Sequence, residues 1–249
     1  MQGYRDDGVV LRTQKLGEAD RIITLLTRQN GRVRAVAKGV RRTKSRFGAR
    51  LEPFTHVDVM LHPGRSLDVI TQAEVIRPYG APLAEDYPRY TAGTAMLETA
   101  ERLTPMEKEP ALRQFLLLIG GLRTLSETGE DAREPRLVLD AYLLRSLAVA
   151  GYAPALEECS RCGTSGEVKR LTAFAVATGG MVCADCRPPG AASPAPQTVA
   201  LMLALLRGDW DGAMRSERRH RVECSGLVAA YLQWHLEHSI RSLRHVERA

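Results

Sequence analysis

The first third of the chain alternates apolar and polar residues in short runs separated by turns. Five runs predict strands, in chain order 7–15, 21–27, 33–39, 52–61 and 65–76. Within 33–39, Val33, Ala35 and Ala37 share one face, which is typical of a half-buried strand. Turns follow from Asn-Gly at 30–31 and Pro-Gly at 63–64. Five strands in about 70 residues predict a small β-barrel, of either the OB-fold or the SH3-like kind.

The rest of the chain has helical periodicity. A segment with three prolines, 77–88, is interpreted as a linker. Helices are predicted at 90–103, 110–127, 135–151, 199–208 and 218–246, with Gly151 as a helix stop. The Pro/Ala/Gly-rich segment 187–196 is predicted to be a loop. The predicted fold class is α+β and multidomain, with an N-terminal OB-fold-like β-barrel and an α-helical domain that carries a four-cysteine insertion.

The changes of pattern predict four domain segments. They are 1–78 for the barrel, 79–157 for the first part of the helical domain, 158–190 for the cysteine module and 191–249 for the rest of the helical domain.

Composition indicates a protein of the cytosol. The 249 residues are 44% hydrophobic, yet no run approaches the ~18 apolar residues of a membrane helix. The N-terminal residues contain no apolar signal-peptide core. In the cytosol thiols stay reduced, so paired cysteines are expected to be metal ligands or redox groups rather than disulfides.

Positive charge is concentrated in one segment. Residues 28–51 hold nine basic and no acidic side chains, which leaves the remainder of the +6 chain at −3. The nine are Arg28, Arg32, Arg34, Lys38, Arg41, Arg42, Lys44, Arg46 and Arg50. Such a patch predicts a surface that binds polyanions, the alternative being a solvated loop. Phe47 within it is interpreted either as a base-stacking residue or as an apolar anchor of the loop.

The same segment does not form a nucleotide-binding loop. Gly39 is followed by four residues and then directly by Lys44 and Ser45, without the second glycine that lets backbone amides close on phosphates. We therefore expect no nucleotide hydrolysis from it.

Two C-x-x-C pairs predict a metal site. Cys159 and Cys162 form one pair, Cys183 and Cys186 the other, and twenty residues separate them, as in zinc sites of this type. Four thiolates would complete a tetrahedron around one structural Zn²⁺ and leave no open position for catalysis. Neither pair has the βαβ setting of a thioredoxin-like dithiol. The fifth cysteine, Cys224, is expected to be a small buried hydrophobe.

Zinc-enzyme motifs are not assembled. The H-x-E of zinc deaminases occurs only at His235–Glu237, after both pairs, and Val182 rather than proline precedes Cys183. His235 and His238 lie three apart on a predicted helix, where a solvated or packed face is the expected role.

Three segments together resemble the bacterial RecO family of DNA repair and recombination proteins. "KGVRRTKSRFGARLEPF" (38–54) is similar to the family's hallmark after its third strand. "GYAPALEECSRCG" (151–163) is similar to its entry to the metal site, and "YLQWHLEHSIRSL" (231–243) to its closing helix.

The resemblance implies a protein without catalytic activity that binds single- and double-stranded DNA and anneals complementary strands. It also implies that the protein acts with RecR, and in many bacteria with RecF, to load RecA onto DNA coated by single-strand binding protein. The implied location is the cytoplasm, at the nucleoid, and no membrane partner is expected. The DNA contacts that it implies are Lys38, Arg41, Arg42, Lys44, Arg46 and Arg50. An RNA-binding or ribosome-associated zinc-containing OB module is the alternative that the same features allow.

Overall fold

A computed structural model describes residues 2–43, 45, 47–129 and 132–236. The chain divides into two compact units, Met1–Ala132 and Arg133–Ala249. The first unit groups three helices with the barrel, and the four domain segments drawn from the sequence remain a prediction.

The first unit is built on a closed five-stranded barrel. Its strands are β1 (Tyr4–Leu16), β2 (Asp20–Thr27), β3 (Gly31–Ala37), β4 (Thr55–His62) and β5 (Asp68–Pro78). Their order around the barrel is β1-β2-β3-β5-β4. All pairs are antiparallel except β3 with β5, which run parallel for a short stretch. This order is that of an OB-like barrel and confirms the predicted fold class.

Alternation along the strands fills the barrel. In β3 the odd-numbered residues 31 to 37 are buried, and the even-numbered residues between them are partly exposed, as predicted. The core also contains Ile23, Leu25, Val57, Val59, Leu61 and Ile70. The inward faces of the strands therefore form an apolar core inside the barrel.

Three helices complete this unit, and one lies where a linker was predicted. They are α1 (Gly80–Ala84), α2 (Tyr87–Leu103) and α3 (Leu112–Ser126). The linker interpretation of 77–88 is wrong in part, because β5 runs to Pro78 and Leu83 buries its side chain on α1. Asp86 caps α2 by accepting a hydrogen bond from the backbone N–H of Arg89 over 3.0 Å.

Phe54 joins the barrel to these helices. Its φ of +68° is rare for a bulky side chain and turns the chain into β4, while its N–H donates to the carbonyl of Val10 over 3.1 Å. Its ring meets Tyr90 of α2 edge to face, with ring centroids 5.7 Å apart. A Cβ at Gly93 would lie 3.1 Å from the same ring, so glycine allows α2 to approach it.

The second unit contains four helices and a hairpin among its described residues. These are α4 (Pro135–Val149), β6 (Leu171–Ala175), β7 (Gly180–Cys183), α5 (Pro196–Arg207), α6 (Trp210–Met214) and α7 (Arg218–His235). Helices α4, α5 and α7 pack against one another through leucine, methionine and valine side chains. Gly151, at φ +90°, follows the end of α4 and confirms the predicted stop.

Helix α7 ends at His235, and the predicted continuation to 246 lies outside the described residues. Across the part of the chain that the structure describes, every helix is too short or too polar to cross a membrane.

Candidate functional site

The two C-x-x-C pairs meet in the second unit. Cys159 and Cys162 lie on the loop after α4, Cys183 ends β7, and Cys186 ends the short 3₁₀ turn that follows. The four Sγ atoms all lie within 4.8 Å of one another. The predicted ligand set is therefore assembled, and this cluster could hold a metal ion.

The site has a buried and an exposed side. Cys159 and Cys183 are buried in a small core with Ala173, Ala175 and Val182, whereas Cys162 is exposed and Cys186 is partly exposed. The first pair sits on a tight turn, in which the N–H of Gly163 donates to the carbonyl of Cys159 over 2.8 Å. Gly163 has a φ of +71°, which glycine adopts without strain.

Hydrogen-bond donors in this loop favour thiolates. Burial raises the pKa of Cys159, but backbone N–H donors from Cys183, Cys162 and Arg161 outweigh it and lower that pKa to about 6. For Cys162 the hydroxyl of Thr164, 3.3 Å from its Sγ, is the main cause of a lowered pKa.

Cys186 behaves in the opposite way. Its hydrogen bond to Cys183 and its burial raise its pKa to about 12. Thiolates at this spacing would repel one another, so Cys186 keeps its proton until a cation replaces it. Four sulfur ligands within 4.8 Å of one another, supported by N–H donors, fit a closed structural site for a soft or borderline divalent cation.

The basic segment forms the connection between β3 and β4 in the first unit. Lys38, Arg41, Arg42 and Arg50 are exposed there. The other two predicted DNA contacts, Lys44 and Arg46, lie outside the described residues. We call residues 38–50 the basic loop.

The basic loop is fastened to the β1–β2 turn at its start. The backbone N–H of Gly39 donates to Oδ1 of Asp20 over 2.7 Å, and that of Arg41 donates to the carbonyl of Ala19 over 3.0 Å. The guanidinium of Arg41 also donates to the carbonyls of Gly17 and Glu18. Because both acceptors are neutral carbonyls, these contacts orient the guanidinium without cancelling its charge.

Phe47 fixes the far side of the same loop. Its side chain is 1% exposed and belongs to the barrel core. Of the two interpretations drawn from the sequence, the structure supports the apolar anchor. The ring is not presented to a base in this arrangement.

Two of the nine basic residues contact a segment that is distant in the chain, and the sequence pattern does not predict these contacts. We call residues 104–110, between α2 and α3, the strap. Arg34 on β3 lies 3.4 Å from Oε1 of Glu107, and Arg32 donates to the carbonyl of Pro105. The N–H of Lys108 donates to the carbonyl of Arg32 over 2.9 Å, and its Nζ lies 2.8 Å from Asp68. No local signal relates these residues, because Arg34 and Glu107 are 73 positions apart.

Of the remaining candidate groups, His235 and Cys224 pack against neighbouring side chains of the second unit. The ring of His235 stacks on Tyr152 at 4.6 Å and meets Tyr231 edge to face at 4.5 Å, while His238 and Glu237 lie outside the described residues. Cys224 is buried, as expected. Within the described ranges, the four-cysteine cluster is the one group of three or more Cys, His, Asp or Glu side chains with metal-ligand spacing.

Comparison with known proteins places both units in one family. The family model described as "Recombination protein O N terminal" matches residues 1–79, and "Recombination protein O C terminal" matches residues 84–244. Relatives named "DNA repair protein RecO" include those of Thermobifida fusca (strain YX) at 70% identity and Frankia casuarinae at 63%, each over 100% of both chains. The Streptomyces griseus relative of the same name is 61% identical over 100% of both chains. Because both family models match in order and the relatives align over the whole length, this chain belongs to the RecO family of DNA repair proteins.

Proposed function

We propose that this protein is a DNA-binding recombination mediator that works without catalytic activity of its own. It binds single- and double-stranded DNA, anneals complementary strands and, with RecR, helps to load RecA onto DNA coated by single-strand binding protein. RecF is a further partner in many bacteria. The observation that carries the proposal is the basic loop, on which four described cationic side chains are exposed on the outside of an OB-like barrel.

The mechanism follows from charge. Two DNA strands repel each other, and cationic side chains lower that repulsion by displacing counterions from the phosphates. Lys38, Arg41, Arg42 and Arg50, with Lys44 and Arg46 from the sequence, supply these contacts. Phosphate contacts position a strand but carry no sequence information, so base pairing supplies the specificity. Nothing in this scheme requires a nucleotide.

The four cysteines hold one structural Zn²⁺ in this proposal. The metal links the loop after α4 to the end of β7, so its binding energy also becomes folding energy for the hairpin. Four protein ligands leave the ion no position for substrate. We assign the zinc a structural role and place the protein in the cytoplasm, at the nucleoid.

A strand-annealing assay tests the proposal. Two complementary oligonucleotides are mixed with the protein and no nucleotide, and duplex formation is followed by fluorescence. We expect faster pairing with the protein than without it, and no pairing of non-complementary oligonucleotides. An absolute requirement for ATP would contradict the proposal. Recovery of ribosomal subunits rather than RecR and single-strand binding protein in a pulldown would favour the RNA-binding alternative.

A further inference from the structure

Strand β5 extends beyond the point where the barrel closes. Strand β3 pairs with β5 through two described positions, Ala35 with Asp68 and Val36 with Val69. Further along, β5 keeps β4 as a neighbour on one edge. The five residues 74–78 at the end of β5 are all exposed. Its second half therefore projects as a ribbon with one covered edge.

An apolar residue on this ribbon lies on the inward face. Val75 pairs with Val57, and two positions earlier Ala73 pairs with Val59. Val57, Val59 and Ala73 are barrel core, whereas Val75 is 41% exposed. Since alternate residues of a strand share a face, Val75 continues the core face of β5 past the end of the core. An inward-facing valine that stays this exposed requires an explanation.

Val75 instead faces a groove, whose other wall is formed by residues 47–50 of the basic loop. The groove has a volume of about 360 Å³, and its lining includes Val75 and Pro78 on β5 and Phe47 and Arg50 on the basic loop. Arg50 also reaches the carbonyl of Ala73 over 3.4 Å and so lies along β5. An apolar floor and a cationic wall therefore meet in one groove.

Negative charge is kept off this groove. Among the described residues that line it there is no carboxylate. The nearest acidic side chain along β5, Glu74, precedes Val75 and points to the opposite face, where its partner Asp58 lies 2.7 Å from Arg5. The charge pattern therefore favours an anionic ligand that also offers apolar surface.

We propose that this groove takes unpaired bases of single-stranded DNA while the basic loop holds the neighbouring phosphates, and that Val75 thereby strengthens the binding of single strands relative to duplex. The inference rests on the proposed function. In a duplex the base faces are already stacked on one another, so only a single strand presents apolar base faces beside its phosphates. Contacts with a base face tolerate any sequence, as annealing requires. Aliphatic contacts from Val75 and Pro78 are weaker than aromatic stacking, which allows the bases to leave when a complementary strand arrives.

Two substitutions with opposite expected effects test the groove. Val75→Ser removes two methyl groups from the floor, and we expect about fivefold weaker binding of single-stranded DNA. Val75→Tyr adds a ring at an exposed strand position that tolerates it, and we expect tighter binding of single strands. Both variants should leave duplex binding and the salt dependence unchanged, because no phosphate contact is altered. Val168→Ser is the matched control, since Val168 is 81% exposed in the second unit.

Binding of an oligothymidine and of a duplex of equal length is measured by fluorescence anisotropy at several salt concentrations, with circular dichroism to verify folding. The inference is overturned if folded Val75→Ser and Val75→Tyr bind single strands as tightly as the parent protein does. It is also overturned if a variant loses the same affinity for single strands as for duplex. The proposed function fails separately, if the unmodified protein binds neither DNA. The two failures are therefore distinguishable.

Discussion

The hydroxyl group of Ser225 on α7 donates a hydrogen bond to Oδ2 of Asp140 on α4 over 2.5 Å. Asp140 is 3% exposed, in the middle of the helix packing of the second unit. Burial raises its pKa to about 7, although the Ser225 hydroxyl and the charge of Arg136 act in the opposite direction. At neutral pH the folded protein therefore holds a mixture of protonated and ionised Asp140.

This buried carboxyl group predicts a pH-dependent stability. In the unfolded chain the pKa of Asp140 returns to the ordinary value of about 3.9, so the folded state binds more protons than the unfolded state between the two values. The stability that protonated Asp140 contributes is complete below about pH 3.9, the unfolded-state pKa, and is lost as the pH rises through the folded-state pKa of about 7. Asp140→Asn keeps the shape and accepts the Ser225 hydroxyl, so the loss should disappear.

We expect the parent protein to lose about 1–2 kcal/mol of unfolding free energy from this group between about pH 5.5 and pH 7.5, and Asp140→Asn to lack that loss. Urea denaturation followed by circular dichroism measures it. Asp211→Asn, at an exposed position on α6, should behave as the parent does. The same pH dependence in Asp140→Asn and the parent would contradict the assignment.

Zinc content should depend on the clustered cysteines and not on the fifth. Metal analysis of the purified protein should give about one zinc per chain. Cys162→Ser should lower that content and weaken hydrogen-exchange protection of the β6–β7 hairpin, because thiolate binding also stabilises the fold. Cys224→Ala should retain the metal, since Cys224 is buried on α7 outside the cluster. A metal-free protein with full protection and full activity would exclude the structural role.

The basic loop should dominate the salt dependence of DNA binding. If about four of its six cationic side chains contact phosphates, log K for single-stranded DNA should fall with log salt at a slope near −3, from about 0.7 per phosphate. Arg41→Ala with Arg42→Ala should flatten the slope by roughly 1.4 and weaken all sequences about equally. Binding isotherms across a salt series give both slopes.

Lysine at both positions is the matched control. Arg41→Lys with Arg42→Lys changes the contacts of Arg41 with the β1–β2 turn but keeps both positive charges. Because the slope depends on charge, this variant should retain most of it. Thermal melting verifies that folding is unaffected, because exposed charges contribute little to stability. An unchanged slope in the folded alanine variant would mean that DNA binds elsewhere.

The strap should limit the cationic surface. Glu107 offsets the charge of Arg34, and about a third of each side chain is exposed to solvent. Glu107→Gln should tighten single-strand binding at low salt and steepen the slope by up to about 0.7, because one more cation becomes available to phosphate. Glu157→Gln, which breaks a more exposed ion pair with Arg207 in the second unit, is the control and should change neither quantity. Weaker binding by Glu107→Gln would show that the strap supports DNA contact instead of limiting it.

Local patterns in the sequence were sufficient to predict much of the fold and the four residues of the cysteine cluster. Strand alternation places Val33, Ala35 and Ala37 inside the barrel because neighbouring side chains of a strand point to opposite faces. The Asn-Gly turn and the stop at Gly151 follow from backbone angles that few other residues adopt. The C-x-x-C pairs are also local, because each spacing alone brings two sulfur atoms close together.

Only the tertiary structure decided the properties that depend on residues far apart in the chain. The parallel pairing of β3 with β5 distinguishes an OB-like barrel from the alternative. The burial of Phe47, the pairing of Arg34 with Glu107 and the exposure of Val75 likewise depend on which distant segments cover a side chain. The sequence pattern predicts which face of a strand or helix a side chain lies on. Only its neighbours in space determine whether that side chain is buried in the core, forms an ion pair or lines an open groove.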